Sequence, residues 1–179
     1  LRYWKLFQVK ADPAKGNIIL VLLPYWDRTI NNILNLIKQI DWPAEIVIKF
    51  HPTVERNKYM PQIPSKFSVT DKDLYSLFGR ARMVVGQSTG TMVEAASLGI
   101  PVIDIVDSEK ISHNFMPEFG REVLWSSASH VEDVYRLVRQ FEKSIRLEPS
   151  QLLDMGEKMR DNYFCEPTEE KIVQAFGLA

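Results

Sequence analysis

The apolar positions of this chain change their period from segment to segment. Asn17 to Leu23 form a continuous apolar run that closes at Pro24. A run without alternation predicts a strand covered on both faces, as in a parallel sheet. Ile30, Ile33, Leu34, Ile37 and Ile40 then recur at helical spacing, which predicts a helix from about 29 to 40 stopped by Pro43. Glu45 to Phe50 reads as a second strand ending in His51-Pro52, and the polar, proline-punctuated residues 53–65 as a loop. A short strand is expected at 67–69, a helix over 72–81 capped by Asp71, and a buried strand at 83–85. Gly86 to Gly90 then turn into a helix from about 91 to 98 with Gly99 as its stop. Strands at 101–106 and 122–125 follow. A helix over 131–143 carries Val131, Val134, Leu137, Val138 and Phe141 on one face, and two more helices are expected at 149–163 and 168–177.

Strands alternating with helices predict an α/β fold: a Rossmann-like open parallel sheet with helices on both faces, plus C-terminal helices. The reading divides the chain into a linker or edge segment at 1–16, a Rossmann-like nucleotide-binding domain at 17–148, and helices at 149–179 packing on it. The 179 residues suffice for one ordinary core. A formal net charge of -1 offers no basic field for nucleic acid, so no nucleic-acid partner is expected. The single cysteine, Cys165, excludes an intrachain disulfide, and three histidines at 51, 113 and 130 make a zinc site unexpected. No metal and no cofactor are expected, and the protein is read as cytoplasmic, with a place at the inner membrane face left open. The chain opens Leu1-Arg2-Tyr3-Trp4 without an initiator methionine, so it is expected to be part of a longer protein.

In such sheets ligands bind beyond the carboxyl ends of the strands. Those ends carry Tyr25 to Arg28, His51-Pro52, Thr70-Asp71, Gly86 to Gly90 and Asp107-Ser108. Gly86-Gln87-Ser88-Thr89-Gly90-Thr91 is the richest in phosphate chemistry: glycines admit a close backbone approach, hydroxyls add donors, and the first amides of the next helix attract an anion. Plain capping accounts for the same hydroxyls. Glu94, in an otherwise apolar helix, needs a buried partner and leans toward the helix start, within reach of a sugar hydroxyl. His51 suits donation to a phosphate oxygen or proton transfer, with bonding to a loop carbonyl as the alternative. Arg28 suits a two-donor phosphate clamp, with a surface role as its alternative. His113, His130 and Cys165 are assigned to structure or surface.

The stretch from Ala81-Arg82-Met83-Val84-Val85-Gly86-Gln87-Ser88-Thr89-Gly90-Thr91 through Met92-Val93-Glu94-Ala95-Ala96-Ser97-Leu98-Gly99-Ile100-Pro101-Val102-Ile103 resembles the C-terminal, nucleotide-binding domain of GT-B enzymes. Bacterial surface-polysaccharide glycosyltransferases, CDP-glycerol-using teichoic-acid polymerases and the UDP-GlcNAc 2-epimerases carry similar stretches. Lys49-Phe50-His51-Pro52 is similar to the K-x-H-P element of the bacterial sialyltransferase and CDP-glycerol transferase groups. The resemblance implies a glycosyltransferase donor domain acting in polysaccharide or surface-glycan synthesis. It places Lys49, His51 and Pro52 at the nucleotide phosphate, with His51 as the catalytic candidate. Gly86, Ser88, Thr89, Gly90 and Thr91 would cradle the phosphate and Glu94 would bond the ribose. Val69 to Leu74, with Thr70, Asp71 and Leu74, would lie near the base. The implied partners are a nucleotide-activated sugar or CDP-polyol, an N-terminal acceptor-binding domain absent from this sequence, and a glycan or lipid-linked acceptor. An epimerase half is the alternative on the same fold, although Thr89 and Val93 replace a glycine and a carboxylate usual there. A non-catalytic receiver-like module ranks lower, because Asp27 alone follows the first strand.

Overall fold

A computed structural model of the chain describes residues 3–87, 89–107 and 115–177. Six parallel strands form one sheet. They are β1 (Ile18–Leu23), β2 (Glu45–Phe50), β3 (Ser68–Val69), β4 (Ala81–Gly86), β5 (Val102–Ile105) and β6 (Trp125–Ala128), in the spatial order β3-β2-β1-β4-β5-β6. The helices are α1 (Asp27–Ile37), α2 (Leu74–Phe78), α3 (Thr91–Ala96), α4 (Val131–Leu147), α5 (Pro149–Tyr163) and α6 (Glu169–Phe176). The doubly wound reading therefore holds.

All six residues of β1 are buried, as a central strand with neighbours on both edges and helices on both faces requires. Each such aliphatic side chain contributes about 1.5–3 kcal/mol by leaving water. β1 is paired in register with β2, Leu23 opposite Phe50, and with β4 across a register shift between Ile18 and Ile19, Val21 opposite Val85. The strand order reverses between β1 and β4, which leaves a crevice at their carboxyl ends.

Several boundaries differ from the periodicity. Asp73, not Asp71, caps α2: its carboxylate accepts from the Ser76 N–H at 3.3 Å, while Asp71 pairs with Arg56. α2 ends at Phe78, and Ala81, expected in that helix, opens β4, where Arg82 meets Glu142 of α4. The last strand lies at Trp125–Ala128 rather than 122–125. Gly120 (φ +78) and Glu122 (φ 64) turn the chain ahead of it, and the serines of this strand hide it from a hydropathy reading. The loop at 53–65 holds two 3-10 turns, Arg56–Lys58 and Met60–Gln62. Near the N-terminus, a 3-10 turn at Trp4–Phe7 buries Leu6 completely.

α5 crosses the turn that follows α3. Gly99 has φ +75 there, a conformation that excludes most side chains, and Gly156 of α5 packs directly on it. This contact fixes the far end of the segment that runs from β4 through α3.

Candidate functional site

At the carboxyl ends of β1 to β4 lies a cleft of about 400 Å³, within the usual size range for a ligand pocket. Leu22, Leu23, Pro24, Phe50 and Leu74 supply apolar surface, and Lys49, His51, Thr89 and Thr91 supply donors. Pro52 and the Asp71–Lys72–Asp73 stretch complete the rim. The fold thus brings Lys49, His51, Pro52, Asp71, Leu74, Thr89 and Thr91 together from three separate segments. Ser88, the central hydroxyl of the phosphate reading, lies outside the described residues, as do Ser108 and His113.

His51 is placed by the sheet itself. Its backbone N–H bonds the Leu23 carbonyl at 2.9 Å, which extends the β1–β2 ladder by one residue. Two groups face Nδ1: the Thr53 hydroxyl at 2.8 Å and the Thr53 backbone N–H at 3.3 Å. A backbone amide only donates, so Nδ1 is the acceptor and the neutral ring carries its proton on Nε2. Among the described residues Nε2 has no hydrogen-bond partner, so the imidazole offers one oriented donor beside the cleft. Thr53, two residues after His51, lies just outside the Lys49-Phe50-His51-Pro52 motif.

Lys49 donates its ammonium to the Lys72 carbonyl at 2.8 Å, and the Thr70 hydroxyl accepts from the Lys72 N–H at 3.2 Å. Thr70 therefore shapes the β3–α2 turn without lining the cleft. Lys72 and Asp73, within the Val69 to Leu74 segment expected near the base, line it. The Lys5 ammonium, 3.0 Å from Asp73, holds that carboxyl below its ordinary value against an opposing contribution from burial.

The segment from β4 to α3 departs in detail from the expected row of unpaired helix amides. The N–H of Thr91 meets Thr89 Oγ1 at 3.4 Å, that of Met92 meets the Thr89 carbonyl at 3.1 Å, and those of Val93 and Glu94 meet the Gly90 carbonyl. The open amides lie one step earlier. No acceptor among the described residues meets the N–H of Thr89 or Gly90. Gly90 has φ −58 and open space where a side chain would stand. Gly86 instead serves packing: an added Cβ would lie 3.0 Å from Met92 Sδ and 3.4 Å from Leu22 Cβ.

Glu94 is buried, and its carboxylate accepts from the Tyr75 hydroxyl at 2.7 Å. That bond ties α2 to α3 behind the cleft and supplies the partner that the sequence demanded of a buried acid. Glu94 does not line the cleft. Arg28, at the start of α1, forms an ion pair with Asp107 at 2.8 Å, joining the end of β1 to the end of β5. It too lies outside the cleft lining. Asp27 accepts from the Lys58 ammonium and the Tyr59 hydroxyl, which anchors the 56–62 turns over α1. Among the described residues no group of three His, Cys, Asp or Glu side chains is placed to hold a metal ion, and no helix is long and apolar enough to cross a membrane.

No family model matches the chain, and no curated protein matches its sequence. Solved structures match its fold. The wall teichoic acid polymerase TagF, in a crystal soaked with CDPG, is similar over 97% of this chain and 44% of its own, with 14% identity and a TM-score of 0.53. The calicheamicin glycosyltransferase CalG4 is similar over 92% of this chain and 43% of its own, with 14% identity and a TM-score of 0.56. UDP-GlcNAc 2-epimerase from Neisseria meningitidis, bound to UDP-GlcNAc, is similar over 92% and 45%, with 18% identity and a TM-score of 0.55. The chain thus spans less than half the length of each of these proteins. Its Rossmann-like α/β fold is similar to that of part of each of these proteins.

Proposed function

We propose that this chain is the donor-binding part of a glycosyltransferase, and that its cleft receives the phosphate-bearing end of a nucleotide-activated substrate. One observation carries the reading: His51, from the end of β2, and Thr89, from the end of β4, line one cleft at the switch point of the sheet, and neither the Nε2–H of His51 nor the backbone N–H of Thr89 meets an acceptor among the described residues. An anionic leaving group held there gains charge as its bond to the sugar breaks. Fixed donors are worth most at the atom where that charge develops. His51 supplies one donor held by Thr53, and the Thr89–Gly90 amides supply backbone donors that need no reorganisation. In this reading Lys49 and Lys72 add positive charge on the β2–β3 side, and the nucleoside lies over the apolar surface of Phe50 and Leu74. The structures of similar fold include proteins crystallised with CDPG and with UDP-GlcNAc, which supports a nucleotide-linked donor. Acceptor binding, and any catalytic base, belongs to parts of a longer protein.

Calorimetry with UDP, CDP, CMP and their sugar or polyol conjugates tests the reading. Binding of at least one nucleotide is expected, with affinity reduced about tenfold to a hundredfold in His51→Ala, as for the loss of one hydrogen bond to a charged group. Unchanged affinity in His51→Ala, with the fold intact by circular dichroism, removes His51 from the site.

A further inference from the structure

Immediately after Pro24, which lines the cleft, come two large aromatic side chains outside its lining that the phosphate chemistry does not use. Tyr25 is 54% exposed and Trp26 46% exposed. Their rings meet edge-to-face with centroids 4.8 Å apart, and the Tyr25 ring also lies edge-on to the His51 imidazole at 5.6 Å. The three rings form one connected group whose inner member is the donor of the proposed phosphate site. Single exposed aromatics are common on protein surfaces, but two in contact, joined to a concave apolar cleft, mark a binding surface.

The order of the strands decides which part of a ligand reaches this group. Along the sheet edge the β3–α2 turn comes first, then His51 after β2, then Tyr25 and Trp26 after β1. Thr89 follows after β4, so with the nucleoside toward Leu74 and the phosphate between His51 and Thr89, the exposed Tyr25 and Trp26 rings at the intervening strand end are the apolar surface next to the group attached to that phosphate. Each ring offers a flat apolar face with a polar edge. That geometry matches the C–H face of a pyranose ring, whose hydroxyls remain in water. An acyclic polyol presents no such face.

We infer that Tyr25 and Trp26 form the subsite for the transferred group, and that they select a nucleotide-linked pyranose over a nucleotide-linked polyol. The inference rests on the nucleotide reading of the cleft and adds the class of the transferred group to it. Trp26 also occupies the N-cap position of α1 without a side-chain cap, so Trp26→Ser removes the ring while installing a favoured capping residue.

The test is calorimetry of UDP, UDP-GlcNAc, UDP-glucose, CDP and CDP-glycerol on the parent chain, Tyr25→Ser, Trp26→Ser and Trp26→Tyr. In the parent chain at least one pyranosyl conjugate should bind tighter than its bare nucleotide. That advantage should fall about tenfold in the two Ser variants and return in Trp26→Tyr, with bare UDP and CDP within twofold of the parent chain. Equal weakening of UDP and UDP-sugars, equal weakening of CDP-glycerol and UDP-sugars relative to their nucleotides, or an unchanged sugar advantage overturns the aromatic subsite while leaving the nucleotide reading intact. Failure of the parent chain to bind any nucleotide or conjugate overturns the nucleotide reading and this inference together.

Discussion

Gly156→Ala sets two opposing effects against each other at the contact that fixes α3. In an exposed helix interior, replacing glycine by alanine stabilises by about 0.5–1 kcal/mol through the unfolded chain and helix propensity. Gly156 is buried in α5, and an added Cβ would overlap the backbone N of Gly99, lying 2.6 Å from Gly99 Cα and 3.0 Å from the Ala96 carbonyl oxygen. These atoms are backbone, and Gly99 already holds φ +75, so neither partner can yield by a rotamer change. Relief requires α5 to move off the α3–β5 turn, which also loosens buried Leu152 and Met159. Overpacking costs about 1–3 kcal/mol even where side chains can shift, so a net loss of about 2–4 kcal/mol is expected. In thermal unfolding this corresponds to a drop of about 4–16 °C for a domain of this size. Gly90→Ala is the matched control: φ is −58, the space is open, and its unfolding temperature should change by less than about 3 °C. Should Gly156→Ala melt at or above the parent temperature, α5 does not sit on Gly99 and the account of how α3 is held is wrong.

Other perturbations probe the remaining contacts around the site. Tyr75→Phe removes the hydroxyl that donates to buried Glu94 and should cost about 1–3 kcal/mol in urea unfolding, with a cost near zero refuting the bond. Arg82 makes a two-point ion pair with Glu142, at 2.5 and 2.6 Å, and reaches the Pro13 and Ala14 carbonyls. Arg82→Met should cost about 2 kcal/mol, and a double-mutant cycle with Glu142→Gln should give a coupling of about 1 kcal/mol or more. Asp73 is held below its ordinary pKa chiefly by Lys5, so its contribution is present above the unfolded value near pH 4 and is lost as pH falls through the lower folded value. Stability measured from pH 6 down to pH 2 should therefore decline less steeply in Asp73→Asn than in the parent chain, and parallel curves would contradict the pairing.

The parts of the fold legible in the sequence are those in which one force dominates. β1 is buried on both faces, so its apolar run has no competing signal; α4 and α5 are long enough for their periodicity to declare itself. The misplaced elements are short and held by tertiary contacts. β6 reads Trp-Ser-Ser-Ala and is a strand because β5 offers it a partner, not because of its own pattern. Asp71 and Asp73 are equally good caps in sequence; Lys5, 68 residues away, helps fix the one that caps. In the candidate site, the residues just after strands were legible because topology puts every parallel strand end on one edge. The open amides lie at Thr89 and Gly90 because the Thr89 hydroxyl satisfies the N–H of Thr91 and the carbonyls of Thr89 and Gly90 satisfy the next three N–H groups, an accounting visible only in coordinates.

The acidic residues of the cleft bear most directly on whether it suits an anion. Two carboxylates, Asp71 and Asp73, stand on its rim, and unpaired they would oppose a phosphate. Neither is unpaired: Arg56, from the turn after β2, lies 2.5 Å from Asp71, and Lys5, from the N-terminal turn, lies 3.0 Å from Asp73. Both cations come from segments outside the sheet, so irregular parts of the chain offset the two rim carboxylates. Removing them should act on ligand affinity through charge rather than contact. Lys5→Gln and Arg56→Gln, whose side chains do not line the cleft, should each weaken nucleotide binding by about twofold to tenfold at low salt, and the loss should shrink as salt is raised past a Debye length of about 8 Å. A loss of equal size at 20 mM and 500 mM salt would mean that these residues hold the loops in place and do not neutralise the rim, on the order of screening expected for exposed pairs.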